Sequence, residues 1–383
     1  MKHDRKKQFD SAKRIVVKVG SGVLTASHGL NIQAIQIISR QVDLLSQKGI
    51  ECVLVSSGAI ASGLKKVGLS KRPGDIPGRQ AAAAIGQAGL ILEYEKAFYN
   101  YDKKVAQILL TQEDLKNRKR YLNARNTLNK LLSWKVIPII NENDTVATEE
   151  IKIGDNDNLS AMIAILMDAD ILINLTDIDG LYTKDPRTNP DAELISFVDT
   201  IDKDIQRMAG NIPGALGTGG MLSKIKAAGK VTTAGIPMII AGGEKPDILT
   251  RLFSGERLGT YFAPGKSKLS RRKCWIAFSH TPKGKIKIDD GAAEALLKKG
   301  KSLLPIGITA VEGSFDIGAC VEFTNKDGVK LGIGLVNYSS SDILKIKGLQ
   351  SKQIKAKLGH KPYDDVIHRD NLAITAEKEY YSR

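Results

Sequence analysis

Two lysines beside glycine-rich turns are the residues best suited to chemistry in this chain. They are Lys18 in Lys18-Val19-Gly20-Ser21-Gly22 and Lys224 in Gly217-Thr218-Gly219-Gly220-Met221-Leu222-Ser223-Lys224. Backbone amides without side-chain cover, next to an ammonium group, cradle phosphate oxygens. Two such cradles far apart in sequence suit a nucleotide gripped from both sides, as phosphoryl transfer requires. Lys18 ends an apolar strand, where a lysine is costly unless it meets an anion. Lys224 falls in the first turn of a helical pattern, where a cation opposes the helix dipole and a bound phosphate would remove the conflict. The plainer alternative is a strand-end lysine reaching solvent and a flexible loop before a helix. The second segment is not a Walker A loop, and it lacks the third glycine of the dinucleotide fingerprint. Gly265-Lys266-Ser267 ends like a Walker A motif, but Thr260 occupies the place of its first glycine.

The notable carboxylates are Asp144, Asp155, Asp157 and Asp177. Asp155-Asn156-Asp157-Asn158 precedes a helical pattern, and Asp and Asn are good helix caps. Two acids and two amides in four residues exceed what capping needs. Substrate ammonium binding, lysine orientation and Mg2+ coordination are the functional readings of that excess. An EF-hand is excluded, since Leu159 stands where it needs Asp or Asn. The five histidines (His3, His28, His280, His360 and His368) avoid all these turns. That argues against a serine or histidine hydrolase. An acceptor that is already ionised needs no general base, and a carboxylate of pKa near ~4.3 is such an acceptor. The residues therefore fit phosphorylation of a carboxylate better than of an alcohol. Activity is expected not to require a group titrating near pH ~6.5.

The elements that must hold these residues are legible in the apolar pattern. Near-continuous β-branched runs recur at Arg14–Val19, Glu51–Ser56, Val105–Leu110, Val136–Ile140, Ile171–Leu175 and Ile236–Ile240, as expected for strands covered on both faces. Helical patterns lie between them at Ile32–Gln47, Arg79–Asn100, Tyr121–Trp134, Asn158–Met167 and Met221–Ala234. This alternation predicts an αβα sandwich with a mainly parallel sheet, whose ligands sit outside the carboxyl ends of the strands. The turns after those strands collect Gly20, Ser57, Gly58, Ala59, Asp144, Thr176 and Asp177 along one edge. After about residue 265 the composition changes. A basic linker spans 266–274. Short strands are expected at Trp275–Phe278, Lys285–Ile288, Gly307–Val311, Cys320–Phe323 and Leu331–Val336, with one helix at Ala292–Lys299. The predicted organisation is a catalytic domain over 1–265, the linker, and a small mostly β module over 275–383 that ends near Gly348 and trails into a polar tail.

A chain of 383 residues with 42% hydrophobic and 26% charged residues reads as globular and of about two domains. No apolar run approaches the ~20 residues that span a bilayer. The polar, basic start lacks a signal-peptide core, so a cytoplasmic location without membrane partners is expected. Cys52, Cys274 and Cys320 show no CxxC spacing, so neither a disulfide framework nor a zinc site is implied. The net charge of +15 favours anionic partners. From residue 266 onward 22 Lys+Arg stand against 13 Asp+Glu, which concentrates +9 of the excess in the last third.

Taken together, these segments resemble those of the glutamate 5-kinase branch of the amino acid kinase family. The matching stretches are Val17-Lys18-Val19-Gly20-Ser21, Val55-Ser56-Ser57-Gly58-Ala59-Ile60, Asn141-Glu142-Asn143-Asp144, Gly154-Asp155-Asn156-Asp157-Asn158-Leu159-Ser160, Leu175-Thr176-Asp177, Gly180-Leu181-Tyr182 and Thr218-Gly219-Gly220-Met221 with Lys224. Order and spacing match over roughly the first 265 residues. The C-terminal module resembles a PUA domain through Gly291-Ala292, Ser302-Leu303-Leu304-Pro305, Gly313-Ser314-Phe315 and Asn337-Tyr338-Ser339-Ser340.

The resemblance implies ATP-dependent phosphorylation of the L-glutamate side-chain carboxylate, with Mg2+ accompanying ATP and no direct metal ligand assigned. It implies that Lys18 and Lys224 meet the transferred phosphoryl group while Asp157 holds both lysines. Ser57, Gly58, Ala59, Asp144, Asp155 and Asn156 would bind glutamate. Lys18, Gly20, Ser21, Thr176, Asp177, Thr218, Gly219, Gly220, Met221, Leu222, Ser223 and Lys224 would bind ATP. Proline as a feedback inhibitor and a homo-oligomer are further implications. The departures are Gly-Ser-Gly in the first loop and Ser223 in place of a common threonine, neither of which removes a charge. The rival readings are another carboxylate kinase of the same family, or RNA binding by the basic module. A regulatory or assembly role for that module is preferred to RNA binding, because no row of aromatics for base stacking is evident.

Overall fold

The computed structural model describes residues 5–26, 29–69, 71–147, 156–210, 220–265, 270–279 and 281–375. The chain divides into two compact units, Met1–Lys268 and Leu269–Arg383.

The strands of the first unit are β1 (Arg14–Val19), β2 (Thr25–Ala26), β3 (Gly29–Leu30), β4 (Glu51–Ser56), β5 (Val105–Leu110), β6 (Ile137–Glu142), β7 (Ile171–Thr176), β8 (Phe197–Val198), β9 (Met238–Gly242) and β10 (Thr260–Phe262). Eight of them form one sheet in the order β5-β6-β4-β1-β7-β9-β10-β8. The β2–β3 pair is a separate short ladder. Every pairing in the large sheet is parallel except that of β9 with β10. All six residues of β7 and all five of β9 are buried, so helices cover the sheet on both faces, as the unbroken apolar runs require. This is the αβα sandwich expected from the sequence.

The two faces carry different cargo. Ile15, Val17 and Val19 of β1 join Ile171, Ile173 and Leu175 of β7 in one apolar core, with Ile35, Ile38, Val42 and Leu45 of the Ile32–Gln47 helix and Leu90, Tyr94 and Phe98 of the Ile76–Tyr99 helix. Side chains alternate along a strand. Lys18 and Asn174 therefore turn to the opposite face, and the β1–β7 register sets them directly beside each other. The Asn156–Met167 helix lies against β1 and β7.

The second unit holds β11 (Lys285–Ile288), β12 (Ile308–Glu312), β13 (Cys320–Thr324), β14 (Lys330–Leu335) and β15 (Leu372–Ile374) in the sheet order β12-β11-β13-β14-β15. Two expectations are corrected here. Trp275–Phe278 is part of a helix, Arg271–Ser279, and not a strand. Periodicity cannot assign so short an apolar run. Ser270 starts the helix by accepting the Cys274 N–H on its carbonyl, and Cys274, Trp275 and Ile276 are all buried. Nor does the module end near Gly348. β15 pairs antiparallel with β14 through Gly332↔Ile374 and Gly334↔Leu372, so residues of the presumed tail form an edge strand. Three residues between polar neighbours give too weak a pattern to read.

Candidate active site

Asp157, with 0% exposure, is the hub of the site. Lys18 Nζ lies 2.8 Å from its Oδ1, and Lys224 Nζ lies 3.2 Å from its Oδ2. Asn174 Nδ2 donates to the same Oδ1 at 2.8 Å, and the Ser223 hydroxyl is within hydrogen-bond reach of Oδ2 and of the Gly220 carbonyl. Both lysines are only 5% exposed. Burial alone would raise the Asp157 carboxyl, but the ammonium groups of Lys18 and then Lys224 outweigh it and hold the carboxyl well below the usual carboxylate range. Burial lowers the Lys18 ammonium against the pull of Asp157, and the charge of Lys224 adds to that lowering. Two ammonium groups share the Asp157 carboxylate, a gathering of donors suited to phosphate oxygens.

The local sequence builds this cluster from three elements. Lys18 comes from the end of β1, Asp157 from the first turn of the Asn156–Met167 helix, and Lys224 from the first turn of the Met221–Thr233 helix. A carboxylate in a first turn is favoured by the helix dipole, whereas a cation is not. Asp157 already offsets the conflict at Lys224, ahead of any bound phosphate.

Beside this cluster runs a chain of amides and hydroxyls. Asn156 Nδ2 lies 3.1 Å from the Ser56 carbonyl, 2.9 Å from Ser57 Oγ and 3.0 Å from Asn141 Oδ1. Asn141 donates onward to Gln87 Oε1 at 2.8 Å. Asn156 Oδ1 is buried without a hydrogen-bond partner among the described residues. Ser57 starts the turn into the Ala59–Lys66 helix, and Gly58 takes φ +102 there, a conformation that favours glycine. Asp144 opens a single 3-10 turn, Asp144–Val146, after β6. Burial pushes its carboxyl up to about 6, with Arg72 pulling the other way. A group titrating near 6 thus stands in the candidate substrate site.

On the nucleotide side, Gly20 caps the short Ser21–Leu24 turn. Its own N–H donates to the Leu175 carbonyl at 2.9 Å, so that amide ties β1 to β7. A Cβ on Gly22 would lie 2.9 Å from Asp177 Cβ, which brings the first loop against the end of β7. Thr176 is buried, and its hydroxyl donates to Asp177 Oδ1 at 2.9 Å. Gly220, Met221, Leu222 and Ser223 enter the helix bearing Lys224. Met221 is buried and Leu222 is exposed. Asp155, Thr218 and Gly219 lie outside the described residues.

Lys18, Lys224, Asp157 and Ser223 thus meet in one cluster, and Ser57 and Asn156 in the adjoining chain. Sequence reasoning missed Asn174, Gln87 and Arg72, and quoted Asn141 only within the Asn141-Glu142-Asn143-Asp144 stretch, without a role. Asn174 carried a readable signal: it is the one amide inside the apolar run Ile171–Leu175.

Residues 13–242 match the profile of the amino acid kinase family, and residues 284–358 match that of the PUA domain. The glutamate 5-kinase of Caldanaerobacter subterraneus subsp. tengcongensis is 51% identical over 369 residues, spanning 96% of this chain and 99% of its own. That of Geobacter sulfurreducens is 52% identical over 367 residues, spanning 96% and 98%. That of Syntrophus aciditrophicus is 50% identical over 374 residues, spanning 98% and 97%. With the lysine–aspartate–lysine cluster on a mainly parallel sheet and a match of this extent, the chain belongs to the amino acid kinase family, on its glutamate 5-kinase branch, and carries a PUA domain.

Proposed function

We propose that this chain transfers the γ-phosphoryl group of ATP to the side-chain carboxylate of L-glutamate, giving glutamyl 5-phosphate and ADP, the opening step of proline synthesis. The observation that carries the reading is the pair of buried ammonium groups on Asp157, with the amide chain of Asn156 alongside. A carboxylate oxygen of glutamate attacks the γ-phosphorus, and the bond from that phosphorus to the β–γ bridging oxygen breaks. The acceptor is ionised beforehand, so no proton need be removed. Charge spreads over the equatorial oxygens as the phosphoryl group moves. Lys18 and Lys224, fixed in advance by Asp157, stabilise it without reorganising at the moment of reaction. Asp144, Ser57 and Asn156 hold the amino acid. Thr176, Asp177 and the segment into the Met221–Thr233 helix hold ATP.

Among the described residues no three His, Cys, Asp or Glu side chains gather to hold a metal. Mg2+ belongs in this reading to the nucleotide substrate, since it is commonly carried by phosphates and water with few protein ligands. No helix among the described residues is long and apolar enough to cross a membrane.

The test is an ATP-dependent assay with L-glutamate, in which hydroxylamine traps the acyl phosphate as a hydroxamate. Glutamate-dependent ADP release with hydroxamate is expected. ADP release with a different carboxylic acid, and none with glutamate, would assign the chain to another acceptor.

The Asp144 carboxyl gives a pH prediction. Its ionised form attracts the substrate ammonium and its neutral form does not. As pH falls through about 6, KM for glutamate should climb. About one unit below, it should stand near tenfold above its plateau, with kcat little changed. Because this carboxyl binds its proton more tightly folded than unfolded, the same acidification stabilises the fold through this group, so unfolding at Asp144 cannot mimic the effect. An Asp144→Asn variant that keeps the inflection in KM would refute the assignment.

A further inference from the structure

Three side chains of the Ile76–Tyr99 helix reach three separate parts of the candidate amino-acid site. Tyr94, with 0% exposure, places its hydroxyl 3.0 Å from Ser56 Oγ at the end of β4. Ser56 Oγ donates to the Ser57 carbonyl at 3.2 Å, so the Tyr94 hydroxyl is the donor to Ser56. Gln87 Oε1 accepts from Asn141 Nδ2 at 2.8 Å, near the end of β6. Gln80 Nε2 donates to the Ala147 carbonyl at 2.9 Å, just past the Asp144–Val146 turn. Residues 80, 87 and 94 are seven apart, close to two helical turns, so they share one stripe at steps of about 10 Å. Leu90, Tyr94 and Phe98 of the same helix lie in the core. Its C-terminal half is thus anchored, while its N-terminal half carries Gln87 and Gln80 out toward the turn that bears Asp144.

The middle contact also sets which way a row of amides faces. An amide has one accepting end and one donating end. Gln87 Oε1 takes the Asn141 Nδ2, so Asn141 Oδ1 is left to accept from Asn156 Nδ2 at 3.0 Å. Asn156 Nδ2 in turn faces Ser57 Oγ at 2.9 Å and the Ser56 carbonyl at 3.1 Å. Without an acceptor at position 87, Asn141 is free to turn over and would then set its NH2 against that of Asn156. The stripe therefore holds this row at both ends, Gln87 behind Asn141 and Tyr94 behind Ser56.

We propose that Gln80, Gln87 and Tyr94 are positioning residues for the amino-acid acceptor. The helix fixes the spacing of the turns after β4 and β6, and Gln87 fixes the orientation of the Asn141 and Asn156 amides. This rests on the glutamate reading above and deepens it. In this assignment all three act through other residues and none touches the reacting atoms.

The experiment is steady-state kinetics, with L-glutamate and ATP varied in turn, on the wild-type chain, Gln87→Leu, Gln87→Glu, Gln80→Leu and Tyr94→Phe. Gln87→Leu should raise the KM for glutamate on the order of tenfold, about what one hydrogen bond is worth, with kcat and the KM for ATP within about twofold. Gln87→Glu keeps an accepting oxygen at the same place and should recover most of that loss. Tyr94→Phe and Gln80→Leu should each raise the same KM about threefold, since each leaves the other two contacts in place. On an Asn141→Leu background Gln87→Leu should cost nothing further, because the residue it acts through is gone. A merely structural role would lower the active fraction, and so the apparent kcat, with both KM values unmoved, and that result would overturn the proposal. So would a Gln87→Glu as damaging as Gln87→Leu, or a further loss on the Asn141→Leu background. Tyr94→Phe removes a single oxygen and carries the test if a leucine variant does not fold; an unchanged KM for glutamate in it overturns the proposal. Should the wild-type chain phosphorylate another amino acid and not glutamate, the glutamate reading fails, and the same variants are scored on the KM for that acceptor, so the two failures are told apart.

Discussion

Replacing Lys224 with alanine should lower kcat by on the order of 10²-fold or more, as is typical when one preorganised stabilising contact is lost. The fold should survive, because Asp157 retains the Lys18 ammonium at 2.8 Å and the Asn174 amide at 2.8 Å. The loss should therefore appear in turnover, with a small change in the KM for glutamate and in the melting temperature. Asp157→Asn should be the harsher change. It keeps the shape but removes the negative charge that Lys18 and Lys224 share, and breaking a buried pair from one side commonly costs about 3–5 kcal/mol. Steady-state kinetics and thermal melting on both variants check the pair of expectations. Wild-type turnover in Lys224→Ala would reject the role assigned to the cluster.

The second large effect concerns stability. A Cβ built on Gly86 would lie 1.7 Å from the Ala59 carbonyl oxygen and 2.4 Å from the Gly63 nitrogen. One on Gly63 would lie 1.7 Å from the Ala82 carbonyl oxygen. The Ala59–Lys66 and Ile76–Tyr99 helices thus meet backbone to backbone, with no side chain free to move aside. Gly86→Ala must push the helices apart, at a cost of about 3 kcal/mol or more for overpacking. That corresponds to a fall in melting temperature of roughly 6–12 °C for a unit of this size. The Ala59–Lys66 helix springs directly from the Ser57-Gly58 turn, so the displacement should also raise the KM for glutamate. An unchanged melting curve for Gly86→Ala would show that the two backbones are not in contact.

The strands were readable because most of their positions are apolar: β1, β4, β5, β7 and β9 lie on or close to the runs that announced them. Lys18 and Lys224 were readable because glycines surround them, and Asp157 because it sits among more polar groups than capping requires. What escaped was set by partners remote in sequence. Asn174 matters only because the parallel register puts it beside Lys18. Gln87 matters only because Asn141 reaches it across 54 positions. Arg72 looked like one more cation in a basic chain, and only its buried Nε, without a hydrogen-bond partner among the described residues, sets it apart. The Arg271–Ser279 helix and β15 failed for a related reason, since each is decided by its neighbours in the second unit more than by its own pattern.

β15 has a consequence for how the protein is made. Translation delivers β14 about forty residues ahead of Leu372–Ile374, the segment that covers its edge. The first unit, in contrast, can complete its sheet once Phe262 has emerged. On the ribosome the second sheet must therefore wait with an unpaired border, the kind of surface that recruits stray strands and aggregates. Nascent chains stalled before residue 372 should be the vulnerable species, and emergence of Leu372–Ile374 the event that protects them.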